Sequence, residues 1–209
     1  MSGYQAVRAL IPSSVTLLAV SKMQSIDSMC ELAALGADLF GESRVQEALP
    51  KIEALPNAKF HFIGKLQSNK IRAMIGKFAL IHSVDNLSIA QKIDREAAAT
   101  CVIQDILIQI NLAREPQKGG VYIEALEGLV TAIQTLPNVR LKGFMMIPPM
   151  YDEPECNRHY FSEMKEIFDR YRTDDIDTLS MGMSDDFTIA IEEGATMVRV
   201  GTALFGKRS

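Results

Sequence analysis

Short apolar runs alternate along the chain with longer segments whose apolar residues recur every three or four positions. The short runs predict strands over residues 15–21, 38–41, 60–63, 80–83, 106–110, 141–144, 178–181 and 197–200. Several, such as "ILIQI", are apolar nearly throughout, as strands are when both faces of a parallel sheet are covered. Between them, "SIDSMCELAALG" places Ile26, Met29, Leu32, Ala33 and Leu35 near helical spacing, with Gly36 as a stop. "DNLSIAQKIDREAAAT" gathers Leu87, Ala90, Ile93 and Ala97 on one face, and "VYIEALEGLVTAIQTLPN" does the same with Leu126, Leu129, Val130 and Ile133. "RHYFSEMKEIFDRYR" is a further amphipathic helix, and "DDFTIAIEEG" a short one with acids in its first turn. A leading helix is expected over residues 4–10. Strict alternation of eight strands with helices predicts an α/β chain folded as a single-domain (β/α)8 TIM barrel over residues 1–209, with a doubly wound sheet as the main alternative. No linker, internal repeat or low-complexity tract divides the chain.

Composition narrows the partners. The 209 residues carry a formal charge of −4 and are 47 % hydrophobic. Lys and Arg are scattered, so no electrostatic footprint for nucleic acid is expected. Cys30, Cys101 and Cys156 form no C-x-x-C pair, which points to reduced thiols and a cytoplasmic setting. No stretch reaches the roughly 18 apolar residues of a membrane span, and the first residues lack a signal-peptide pattern. The three histidines lack metal-ligand spacing, so no metal is expected. His61 and His82 are assigned to packing or supporting roles, and His159 to the surface.

A barrel places its chemistry at the C-terminal ends of its strands. Strand one ends "TLLAVSK", at Lys22. After strand seven, "SMGMS" supplies Ser180, Gly182 and Ser184. After strand eight, "RVGT" supplies Arg199, Gly201 and Thr202. Each of these last two stretches alone is ordinary turn chemistry. Together they occupy the two loops where barrels favour phosphate, since glycine lets backbone N–H groups approach an anion. Lys22 would lie at the same mouth, where a lysine can form a Schiff base. An aldehyde joined to a phosphate describes pyridoxal 5′-phosphate, PLP. Arg199 would meet a ring nitrogen or a carboxylate, or form a structural ion pair. Glu42 is open between a general base and an ion-pair partner. Met145, Met146, Met181 and Met183 are expected to fill the mouth or pack on a flat ring. Lys65 and Lys70 are read as belonging to a solvated loop.

The blocks "LLAVSK", "FGESRVQE", "HFIGKLQSNK", "HSVD", "GFMMIP", "LSMGMSDDF" and "EEGATMVRVGTALFG" resemble, in order, those of the PLP homeostasis protein family. The resemblance runs from about Val15 to Gly206. It implies the type III PLP fold, the barrel of the alanine racemase N-terminal domain. It also implies a Schiff base on Lys22, phosphate contacts from Ser184, Gly201 and Thr202, and Arg199 near the pyridine ring. Ser43 stands where the family usually has asparagine, near the ring, and Met181 is expected against it. No catalytic residue is implied. The implied role is to hold PLP and keep vitamin B6 in balance, with PLP-dependent apo-enzymes as recipients and a monomeric chain. The alternative is a PLP-dependent amino-acid racemase-like enzyme. That reading needs acid/base groups on both faces of the cofactor and a second domain, which is not expected with only three residues after Gly206.

Overall fold

Eight parallel strands pair in sequence order and close on themselves in the computed structural model, which describes residues 3–206. They are β1 (Thr16–Val20), β2 (Leu39–Glu42), β3 (Lys59–Phe62), β4 (Leu80–Val84), β5 (Gln104–Ile110), β6 (Val139–Met146), β7 (Thr178–Ser180) and β8 (Met197–Val200). Around them run α1 (Gly3–Ala9), α2 (Ile26–Ala34), α3 (Val45–Ala54), α4 (Ile71–Met74), α5 (Leu87–Ala99), α6 (Ile123–Gln134), α7 (Arg158–Tyr171), α8 (Phe187–Glu192) and α9 (Thr202–Phe205). The TIM barrel is therefore borne out over the doubly wound sheet. Closure comes from β1 against β8, with Thr16 beside Met197 and Ala19 beside Val200.

Alternation along each strand sorts the apolar residues into two layers. Leu18, Leu80, Leu107, Met145 and Met197 form the inner cluster. Their neighbours Ala19, Ile81, Ile106, Phe144 and Val198 turn outward and join the larger core beneath the helices. Each helix supplies a matching stripe. On α7, Phe161, Met164, Ile167 and Phe168 are buried, and Phe168 meets Phe144 edge-on at 6.4 Å. Helix starts are fixed by side chains that accept from first-turn amides: Ser25 from Ser28 N–H, and Asn86 from Ile89 N–H at 3.0 Å.

One register shift needs a glycine. Between Ile106 and Leu107 the β5–β6 pairing skips from Leu141 to Gly143. Gly143 sits at φ +146°, and a Cβ there would lie 1.8 Å from the Thr178 carbonyl oxygen. Only glycine lets β7 approach at that point.

Polar side chains share the barrel interior. Arg199 Nη1 donates to the Ser180 carbonyl at 2.8 Å and to Ser180 Oγ at 2.7 Å, and Nη2 donates to the Met146 carbonyl at 2.8 Å. Ser180 Oγ lies 3.2 Å from His82 Nδ1, and His82 Nε2 lies 3.0 Å from His61 Nδ1. A serine that accepts from Arg199 has its own proton free for His82. A neutral His82 then donates from Nε2 to His61, so every member is satisfied with one cation and two uncharged rings. Burial is the main cause that keeps both rings uncharged. It lowers His61 to about 3 and takes His82 well below the ordinary histidine value, helped by the nearby His61 and Arg199. Both rings are buried in the barrel interior, in keeping with the packing or supporting roles expected of His61 and His82.

This buried pair carries a pH dependence. An unfolded histidine takes up its proton near 6.5, whereas His61 resists until about 3. As pH falls below about 6.5 the unfolded state therefore binds the extra proton first, and stability is lost progressively down to about pH 3. His61 alone accounts for about 1.4 kcal/mol per pH unit across that window. Urea unfolding between pH 7 and 4.5 checks this. His61→Leu should reduce the acid slope by about one proton, and an unchanged slope would mean that His61 is already protonated in the fold.

Candidate functional site

The end of β1 is gripped from outside the barrel. Ser21 points outward, where its N–H donates to the Gly41 carbonyl at 3.0 Å and its Oγ donates to Glu42 Oε1 at 2.7 Å. Lys51, buried on α3, donates from Nζ to the Ser21 carbonyl at 2.8 Å, to Glu42 Oε1 at 2.7 Å and to Glu47 Oε1 at 2.7 Å. Glu47 Oε1 also accepts from the Met23 N–H. Met23 holds a left-handed backbone at φ +62°. The residues on both sides of Lys22 are thus tied to one ionic cluster, while Lys22 itself faces the barrel mouth.

The cluster is internally uneven. Burial pushes the Glu42 carboxyl above its ordinary value, against the hydrogen bonds from Lys51 and Ser21. Its Oε2 is buried with no hydrogen-bond partner among the described residues. For Glu47, desolvation is the largest influence and acts upward. The hydrogen bonds from Lys51 and Met23 outweigh it and leave the carboxyl below its usual range. Glu42 is thereby an ion-pair partner, facing away from the mouth.

Lys22 opens into a cavity of about 310 Å³. Val20, Ile63, Met145 and Ile147 line it with apolar surface, and Arg199 reaches it from β8. Desolvation lowers the Arg199 guanidinium to about 10, so it stays charged at neutral pH. Ser184, Gly201 and Thr202 line the same cavity, with Asp185 beside them. The Gly201 N–H donates to Ser184 Oγ at 3.2 Å, which leaves the serine proton free to donate in turn.

The loop that carries Ser184 is set by two features. Gly182 lies at φ +88°, and a Cβ on it would come within 2.5 Å of the Ala190 Cβ. Asp186 then accepts the Met183 N–H at 2.6 Å and Asn157 Nδ2 at 2.9 Å. The Gly182 carbonyl accepts from the Arg199 N–H at 3.0 Å, which joins the loops after β7 and β8.

Five residues expected at the site share this cavity: Lys22, Ser184, Arg199, Gly201 and Thr202. Two lie elsewhere. Ser43 lines a neighbouring cavity at the ends of β2 and β3. Met181 is fully buried in the layer under the helices, because Ser180 takes the inward position and its neighbour must point out. Met145 and Met183 line the mouth instead. The Glu42–Lys51–Glu47 cluster was not anticipated. Its one sequence signal is that Lys51 follows Ala48 on the buried face of α3. Among the described residues no group of three or more His, Cys, Asp or Glu could hold a metal ion.

Comparison with known proteins finds relatives over nearly the whole chain. The sequence profile of the family "alanine racemase, N-terminal domain" matches residues 3–209. A pyridoxal phosphate homeostasis protein from Aquifex aeolicus is 44% identical over 197 residues, covering 92% of this chain and 86% of its own. Its counterpart from Escherichia coli K12 is 40% identical over 204 residues, covering 94% and 87%. PipY from Synechococcus elongatus, solved with PLP bound, superposes with a TM-score of 0.90 at 34% identity, covering 98% of each chain. An alanine racemase from Clostridium difficile shares the fold, with a TM-score of 0.80 at 15% identity, over 99% of this chain and 56% of its own. A barrel whose first strand presents a lysine to the loops after strands seven and eight, with relatives this similar over nearly its whole length, belongs to the pyridoxal phosphate homeostasis protein family.

Proposed function

We propose that this chain binds PLP at the barrel mouth and holds it for vitamin B6 homeostasis, without catalytic turnover. The observation that carries the reading is the shared cavity, lined by Lys22 together with Ser184, Gly201 and Thr202. When bound, PLP supplies an aldehyde that condenses with a primary amine, a phosphate and a flat ring between them. The residues present fit all three parts. Lys22 is the amine. The Ser184 and Thr202 hydroxyls are donors for phosphate, and the Gly201 N–H, bonded to Ser184 Oγ, fixes that serine. Met145 and Ile147 would offer apolar surface to a ring, and Arg199 is a fixed cation in the same cavity. The PLP-bound PipY structure supports the assignment.

Carriage rather than turnover is supported by what surrounds Lys22. A racemase moves protons on both faces of its cofactor. The described lining residues include no histidine, tyrosine or cysteine, and the only ionisable ones besides Lys22 are Asp185 and Arg199. The reading includes PLP-dependent apo-enzymes as recipients, a monomeric chain in the cytoplasm and no nucleic-acid partner. No described helix is long and apolar enough to cross a membrane.

In this reading the outer ionic cluster presents the amine. Lys51 fixes the carbonyl before Lys22, and Glu47 fixes the amide after it. Lys22 then has only its side-chain torsions left to order.

Two measurements test these assignments. Added PLP should produce a saturable visible absorption band that Lys22→Ala abolishes. Thr202→Ala should keep the band but weaken PLP about tenfold, the loss of one charge-assisted hydrogen bond. An unchanged band in Lys22→Ala would sink the assignment of the amine. For the ionic cluster, Lys51→Met should cost about 3–5 kcal/mol of unfolding free energy, because Glu42 is left buried without its cation. Adding Glu42→Gln should restore most of that stability while band formation stays slow. A double variant that forms the band at the wild-type rate would show that the cluster serves stability alone.

A further inference from the structure

A second cavity lies beside the first, at the ends of β2 and β3, and it belongs to a different set of residues. Its volume is about 230 Å³. Arg44, Lys65 and Lys70 line it, and none of its lining residues is acidic. None of the three cations takes part in an ion pair among the described residues. Arg44 acts electrostatically on Glu47, whose Oε1 accepts from Lys51 and Met23. Three cations outside any ion pair among the described residues, Arg44 and Lys65 solvent-exposed and Lys70 partly buried, gather around one hollow in a chain of net charge −4.

The lining also supplies neutral donors. Ser43 and Gln67 add a hydroxyl and an amide. The start of α3 forms part of the wall through Val45 and Gln46, and its N-cap residue Arg44 makes no side-chain capping bond. The first internal bond of that helix is Ala48 N–H to the Arg44 carbonyl, so the amides before it are left for another acceptor. Beneath these donors lie Phe62 and Met74.

We infer that this cavity binds the phosphate group of a small phosphomonoester, separately from the cavity at Lys22. Three cations with amide and hydroxyl donors match a dianion with three terminal oxygens better than a carboxylate with two. The volume is below the usual range of ligand pockets, which limits the organic part to a small group. Val45, Phe62 and Met74 provide apolar surface for that group, so an ester should bind more tightly than free phosphate.

The test is a residue-resolved amide NMR titration of the full chain at low salt, with phenyl phosphate and inorganic phosphate as probes. Gln46 and Lys70 amides report this cavity, and Gly201 and Thr202 report the other. A failure here is therefore distinguishable from a failure of the PLP assignment. Saturable shifts at Gln46 and Lys70 are expected, with phenyl phosphate tighter than inorganic phosphate. Lys65→Gln and Lys70→Gln should each weaken binding about tenfold, with Gly201 and Thr202 signals unaltered and Lys70→Arg close to wild type. Absence of saturation up to about 10 mM, a range that corresponds to a negligible affinity, would overturn the site. Equal affinity for the two probes would overturn the ester assignment, and shifts confined to Gly201 and Thr202 would mean that phosphate binds only at the Lys22 cavity.

Discussion

The pairing of β1 with β8 is the constraint on which the site depends. Ala19 lies beside Val200, so the residues that follow on each strand leave the barrel side by side. Strand period then decides their direction. Leu18 and Val20 point inward on β1, and Met197 and Arg199 on β8, so Lys22 and Gly201 come to the same mouth. A slip of one residue in β1 would turn Lys22 toward the helices and Ser21 toward the cavity. An amine and a phosphate-type rim, some 180 residues apart in sequence, meet because the sheet closes.

Two buried polar assemblies hold that closure in place from opposite sides. Outside the strands, Glu42, Lys51 and Glu47 fix the peptide groups flanking Lys22. Inside the barrel, Arg199, Ser180, His82 and His61 form a chain that links β8, β7, β4 and β3. Buried charge is costly to desolvate and contributes little net stability. What these groups offer is direction. Each has partners at fixed distances, so the side chains that reach the mouth start from positions with little freedom. The chemistry at the mouth stays polar on one rim and apolar on the floor, the division that a phosphorylated aromatic ring requires.

Much of this was legible in the sequence, for physical reasons. Doubly covered strands are nearly continuous apolar runs, so all eight were found, with ends displaced by a residue or two. Barrels put chemistry at strand ends, so position suggested a shared mouth for Lys22, Ser184, Arg199, Gly201 and Thr202, and they do line one cavity. Met181 was misplaced because β7 ends one residue earlier than its apolar run suggests, and the alternation turns Met181 outward. Helix α3 was hard to see because Pro50 lies inside it, where a proline usually argues against a helix. Its buried Lys51 was missed for the same reason, since a lysine on an unrecognised helix looks like surface. Ser43 was placed by resemblance, whereas the fold gives it to the neighbouring cavity. The His61–His82 contact joins residues of adjacent strands, and no spacing within one strand announces it.

The central claim is that closure delivers one particular amine to the cofactor. Borohydride reduction of the PLP-treated protein, followed by peptide mass mapping, tests it most directly. The account requires the pyridoxyl mass on the peptide that contains Lys22. The same mass on Lys65 or Lys70, with Lys22 unmodified, would contradict it.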